Sequence, residues 1–125
     1  YNYLVHYREE EIGIARDRFV AAIQAEGIPV PQIYEPVYCH HTFKVRDPYG
    51  CGFPFQSPFY ETTPGREPCY EDGTCPVTEE YCSRRNIELK IHPTASDEDI
   101  AQVAAAFYKV AQHADQLRSI DADRT

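Results

Sequence analysis

The segment from Cys75 to Asp99 constrains the fold more than any other part of the chain. Pro76 suits the first turn of a helix, because its missing N–H would have no partner there. Next, apolar residues alternate with polar ones, as in a half-buried strand: Ile87, Leu89 and Ile91 on one side, Glu88, Lys90 and His92 on the other. Ser96 precedes Asp99 by the spacing of a helix capping box. The segment therefore predicts a helix, a strand and the start of a second helix.

The rest of the chain adds further elements of both kinds. Residues 1–7 alternate with aromatic and β-branched side chains and predict a strand with bulk on both faces, as in a central strand. Residues 16–26 predict a helix that ends at Gly27, and an apolar stripe predicts another over residues 96–114. Residues 44–74 are rich in proline, glycine and aromatic residues without a helical or strand period, and we expect a long irregular insertion there.

These elements predict the fold class. Strands separated by helices, with too few strands for a doubly wound sheet, indicate an α+β domain. We expect a single domain over residues 1–125, with a small, mainly antiparallel sheet and helices packed on one face. Residues 118–125 are expected to form a frayed tail.

Composition excludes several classes of function. The net charge of −8 disfavours nucleic acid and anionic membrane surfaces, which bind lysine and arginine. The chain contains no apolar run long enough to cross a bilayer. An odd number of irregularly spaced cysteines favours reduced thiols and a cytoplasmic location. A metal site at residues 39–41 with Cys51 or Cys69 is the alternative, but no cysteine pair has the spacing of two to four residues common in zinc sites.

Several segments together resemble the C-terminal part of the DegT/DnrJ/StrS family of pyridoxal-phosphate (PLP) sugar aminotransferases. They occur in the family's order: Arg16–Ile28 is similar to its Arg-Asp-x-Phe helix ending in Glu-Gly-Ile, Tyr34–Tyr38 to its Tyr-x-Pro segment, and Cys75–Glu79 and Ile87–Asp99 to its closing motifs. The resemblance implies the small C-terminal domain of a fold-type I PLP enzyme. Such an enzyme transfers an amino group to a keto sugar, usually nucleotide-linked, or to a keto-cyclitol.

The resemblance also implies which domain of the enzyme holds the cofactor. In the family, the Schiff-base lysine and the cofactor-binding groups belong to a large N-terminal domain, and none of Lys44, Lys90 and Lys109 matches that lysine. We therefore expect no cofactor in this chain, no catalytic residue and no activity by itself, and we expect PLP and a homodimer in the intact enzyme. The chain would be a piece of that enzyme, and it starts directly on a strand without a methionine.

The candidate substrate-binding residues are Tyr34, Tyr38 and His92, which occupy family positions that approach the substrate or follow the strand. Each also has a structural interpretation: the tyrosines as core or interface residues, the histidine as part of a turn. Two other functions remain open from the residues alone. The chain could be a stand-alone protein-interaction module that uses its aromatic loop, or a small metal-binding module.

Overall fold

The structure is a computed structural model, and it describes residues 2–31, 34–45, 49–50, 59, 70–90 and 92–122, the last four without their side chains. The chain divides into two compact units. Unit 1 comprises Tyr1–Ile33 and Ser83–Thr125, and unit 2 comprises Tyr34–Cys82. The expected single domain over 1–125 stays a prediction, and most of the expected insertion over 44–74 lies outside the described residues.

Helices and two strands make up the described secondary structure, so the coarse α+β class is confirmed. In unit 1 the elements before the division are β1 (Asn2–His6), α1 (Glu9–Ile12) and α2 (Arg16–Ala25). Unit 2 contains a 3₁₀ turn (Val37–Cys39), α3 (His41–Lys44) and α4 (Pro76–Glu80), and a π-helical turn (Tyr81–Arg85) follows. The chain then forms β2 (Asn86–Lys90), α5 (Asp97–Gln112) and α6 (Ala114–Ala122).

The two strands form an antiparallel sheet in which Val5 lies opposite Ile87 and Leu4 opposite Glu88. The Tyr7 N–H donates to the Arg85 carbonyl at 2.6 Å and extends the ladder beyond the strand end. The predicted antiparallel sheet is thus confirmed, with its second strand at residues 86–90, while Ile91 lies outside the described residues. The expectation of a central first strand is not met, because β2 is the one strand that pairs with β1 in the described part of the chain.

Unit 1 has one apolar core, built where α2 and α5 pack on the sheet. Ile87 and Leu89 of β2 join Phe19 and Ile23 of α2 and Val110 of α5 in a buried cluster. Both Ile23 and Ile87 are fully buried. The apolar face of β2 and α5 therefore share one core, as the alternation and the stripe over residues 96–114 predicted.

The opposite face of β2 corrects the sequence prediction. Glu88 was expected to face solvent, but it is only 2% exposed, and Asn86 is also buried. Lys90 is exposed, as expected for the end of the strand. Alternation identifies which side chains share a face, but it does not reveal whether the polar face is covered as well. The strand is buried on both faces over its first four residues.

The start of α5 and the end of α2 lie at the capping residues predicted from the sequence. The Ser96 hydroxyl accepts from the Asp99 N–H at 3.2 Å, and the Asp99 carboxylate accepts from the Ser96 N–H at 2.8 Å, so the capping box is confirmed. Gly27 follows α2 with φ +89°, the left-handed conformation expected of it. The expected frayed tail begins inside α6, which continues to Ala122. Residues 118–122 thus belong to α6, the fraying of this end stays a prediction, and residues 123–125 lie outside the described part.

Gly13 ends α1 in a left-handed backbone conformation. Its φ is +80°, and its N–H donates to the Glu9 carbonyl at 2.7 Å. A Cβ at this position would lie 2.6 Å from Nη2 of Arg118. The backbone conformation therefore favours glycine, whereas the guanidinium is the end of a flexible side chain and can move aside for a Cβ.

Candidate functional site

Tyr38 is the predicted site residue with the most extensive contacts, all within unit 2. It lies in the 3₁₀ turn that follows the buried Pro36. Its hydroxyl donates to Oε1 of Glu79 on α4 and accepts from the Cys75 N–H at 3.2 Å. Burial, together with the bond to Glu79, raises the pKa of the Tyr38 phenol, so the hydroxyl stays protonated. The phenol therefore joins the 3₁₀ turn to the start of α4.

The Glu79 carboxylate is the centre of this network. It also accepts from the Gly73 N–H at 2.8 and 3.0 Å and from the Cys75 N–H at 3.4 Å. These donors, the Tyr38 hydroxyl first among them, lower the pKa of Glu79. Gly73 has φ +89°, which turns the backbone so that its N–H reaches the carboxylate. The arrangement holds an ionised carboxylate in place and organises the turn before α4.

A second polar contact in unit 2 involves Asp72. Its Oδ1 accepts from Nζ of Lys44 at 3.0 Å and from the Cys39 thiol at 3.9 Å. Burial and the neighbouring Asp72 carboxylate raise the pKa of Cys39. A thiol with a raised pKa is a poorer nucleophile, because the thiolate is the reactive form.

The histidines beside Cys39 have a structural role in α3. The His40 and His41 rings lie 4.3 Å apart between centroids, and Nδ1 of His40 accepts from the Thr42 N–H at the start of α3. Among the described residues, no three histidine, cysteine or acidic side chains are grouped as a metal ion would require. Cys51 and Cys69, the further ligands considered from the sequence, lie outside those residues.

The other two predicted site residues are both accessible. Tyr34 is 74% exposed and belongs to unit 2, near Tyr38 in the chain. His92 belongs to unit 1 and is exposed, and its Nδ1 lies 2.9 Å from the Thr94 hydroxyl. That contact closes the turn between β2 and α5, which is the structural interpretation of His92.

A groove in unit 1 was not predicted from the sequence. Its volume is about 620 Å³, and we call it the β1 groove. One wall is the consecutive run Val5–Arg8, and the other is a single face of α5 that carries Ala104, Phe107, Tyr108 and Ala111. The remaining lining residues are Glu11, Ile12, Phe19 and Ile87.

The rim of the β1 groove is polar and close to neutral. Nη1 of Arg8 and Oε1 of Glu11 form an ion pair at 2.5 Å with both side chains more than half exposed. Its walls are mainly apolar, and its size lies within the range of about 300–1,000 Å³ typical of ligand pockets. Residues 104, 107, 108 and 111 have helical spacing, so the sequence could predict that they share a face of α5. It could not predict the groove beside that face.

Comparison with known proteins found no matching family model, no matching curated protein and no matching solved structure. Within the described part of the chain, none of the helices combines the length and the apolar character needed to span a bilayer.

Proposed function

We propose that this chain is the C-terminal small domain of a PLP-dependent sugar aminotransferase similar to the DegT/DnrJ/StrS family. In this role it forms one wall of the cleft that binds a keto sugar, usually nucleotide-linked, or a keto-cyclitol. The large domain that precedes it in the intact enzyme holds the cofactor, and two copies of the intact enzyme form a homodimer in the cytoplasm. The proposal starts from the residues of the chain, since the comparisons gave no match.

The observation that carries the proposal is the order of the motifs along the folded chain. The Arg16–Ile28 segment contains α2, and Cys75–Glu79 contains the start of α4. The closing motifs contain β2 and the capping box of α5. Each segment that resembles the family therefore coincides with a regular element or its cap. The first and the last of these segments also belong to one unit, in which Phe19 and Ile23 of α2 share a buried cluster with Ile87 of β2.

The contacts of the lysines bear on which domain holds the cofactor. A Schiff base needs an uncharged amine, so a catalytic lysine has a lowered pKa. Lys44 instead bonds to Asp72, and that contact raises its pKa. Nζ of Lys109 lies 2.7 Å from Glu26, and Lys90 is exposed at the strand end. None of these contacts supports a PLP-binding role for its lysine, and the proposal assigns the cofactor to the large domain.

Three residues have roles in substrate binding under this proposal. The exposed Tyr34 ring offers an apolar surface on which a sugar or a nucleobase can stack. Tyr38 acts indirectly on the substrate, through Tyr34. Its hydroxyl is hydrogen-bonded to Glu79 and Cys75 and so holds in place the segment that carries Tyr34. His92 is oriented by Thr94 through Nδ1, and Nε2 is the atom that would bind a substrate hydroxyl or phosphate.

The cofactor assignment is tested by borohydride reduction and mass spectrometry. We expect the full-length polypeptide, encoded with its upstream sequence, to retain PLP covalently on a lysine outside residues 1–125. The present chain, treated with PLP and borohydride, should be labelled no more than the same chain unfolded in urea. Selective labelling of Lys44, Lys90 or Lys109 in the folded chain would contradict the proposal, and so would an intact protein that holds no PLP.

The substrate role is tested in the intact enzyme with a matched pair of substitutions. Tyr34→Ala should raise the KM for the keto sugar roughly fivefold, because a stacked ring contributes about 1 kcal/mol. Tyr49→Ala is the control, since Tyr49 is a similarly exposed tyrosine of unit 2 that has no assigned role. Equal KM values for the two variants would remove Tyr34 from the substrate site.

A further inference from the structure

The outer edge of β1 is a strand edge without a partner strand among the described residues. The Tyr7 N–H is directed towards β2, because it donates to the Arg85 carbonyl. Backbone groups alternate in direction along an antiparallel strand, so those of Val5 and Tyr3 also face β2. The N–H and C=O of Leu4 therefore point away from the sheet, and the Leu4 residue is 53% exposed.

Within the described ranges, β1 has none of the usual protections of an edge strand. Natural edges are shielded by lysine, proline, bulges or a covering element. Asn2–Val5 contains no charged residue and no proline, and both Tyr3 and Leu4 are more than half exposed. The chain as a whole carries a charge of −8, so the uncharged edge is a place where a second, equally acidic copy can approach without local repulsion.

We propose that two copies of this chain pair through β1 in an antiparallel arrangement, with the two-fold axis at Leu4. An axis at this residue lets the two Leu4 residues exchange two backbone hydrogen bonds, because their groups already point outwards. The two two-stranded sheets then form one continuous sheet of four strands. This proposal stands independently of the aminotransferase function.

In the same register, the β1 groove of each chain receives the Tyr3 ring of the other. With Leu4 opposite Leu4 of the second copy, Tyr3 of one chain lies opposite Val5 of the other. Directly opposite residues share a face of the sheet, and Val5 lines the β1 groove. The Tyr3 ring, which is 59% exposed in the single chain, therefore enters the groove of the second copy.

The groove matches that ring in chemistry. Ala104 and Phe107 offer an apolar wall, and Tyr108 lies on the same helix face beside them. The rim ion pair of Arg8 and Glu11 adds no net charge to repel a neutral phenol. Because the contact is isologous, each chain supplies one ring and one groove. An interface of one strand and two aromatic rings is small, so we expect a weak, concentration-dependent dimer.

The test is sedimentation equilibrium of the chain over a range of concentrations, with charge substitutions at the two-fold axis. Leu4→Lys and Leu4→Glu each place like charges directly opposite one another, and each should weaken association about tenfold or more. An equimolar mixture of the two variants should associate again as a heterodimer, because the opposed charges then attract. Val77→Lys, at a residue of unit 2 that is 80% exposed, is the control and should dimerise like the unmodified chain.

Each outcome decides the proposal. A chain that is monomeric at all concentrations overturns it and leaves the edge for a strand of a different protein. Variants that dimerise as well as the unmodified chain, or a mixture that fails to associate, also overturn it. Hydrogen exchange of the unmodified chain gives a result that does not depend on the folding of any variant. The Leu4 amide should become protected as the concentration rises, and an amide that exchanges equally fast at every concentration contradicts the pairing.

Discussion

The Ile87→Ala substitution tests whether the core of unit 1 is built on the inner face of β2. Ile87 is fully buried, lies opposite Val5 and belongs to the cluster with Phe19 and Ile23. The substitution removes three carbon atoms, which are worth about 2.4 kcal/mol at about 0.8 kcal/mol each. The cavity that remains adds to this cost, so we expect a loss of about 2–5 kcal/mol in the free energy of unfolding. That loss is a large part of the stability of about 5–15 kcal/mol typical of a domain.

Urea denaturation followed by far-ultraviolet circular dichroism measures this loss. Ile100→Ala is the matched control, because the same side chain is removed from a position on α5 that is 47% exposed. The control should lose less than about 1 kcal/mol, since alanine also favours the helix. If both variants lose the same amount, Ile87 does not occupy a packed core and the pairing of β2 with α2 and α5 is wrong.

Two further predictions concern tyrosine hydroxyls. Burial, with a smaller effect from Glu9, raises the pKa of Tyr7 to about 12, above its ordinary value near 10, so its contribution to stability is complete below about pH 10 and is lost as the pH rises towards 12. Urea titrations between pH 10 and pH 12 should show that the free energy of unfolding falls more steeply with pH for the unmodified chain than for Tyr7→Phe. Parallel curves would contradict the raised pKa of Tyr7. Tyr38→Phe removes the main donor to Glu79, so the pKa of that carboxylate should rise towards its ordinary value in a carbon-13 NMR titration. Tyr34→Phe is the control, and an unchanged Glu79 in Tyr38→Phe would show that the phenol is not the cause.

Local signals were predictable because each depends on residues close together in the chain. Ser96 and Asp99 satisfy each other within one helical turn, so their spacing was sufficient to predict the start of α5. The alternation of Ile87 and Leu89 likewise identified the core face of β2, because strand geometry alone fixes which side chains share a face.

The features that were not predictable depend on distant contacts. Tyr38 and Glu79 are 41 positions apart, and nothing in either segment indicates that one hydroxyl reaches the other carboxylate. The burial of Glu88 has the same origin, since a polar residue on an alternating strand is assigned to solvent unless the covering is known. The β1 groove depends on the distance between a strand and a helix face, and the residue pattern of neither element predicts that distance.

The left-handed backbone at Gly13 has a consequence for how this position can vary over evolution. A substitution there is strained by the left-handed backbone, whereas the Arg118 guanidinium is the end of a flexible side chain and can move aside. A change that shortens Arg118 therefore leaves the main barrier, the backbone conformation, in place against every side chain with a Cβ. A library randomised at positions 13 and 118 and selected for folded protein should therefore diversify at 118 while recovering glycine at 13.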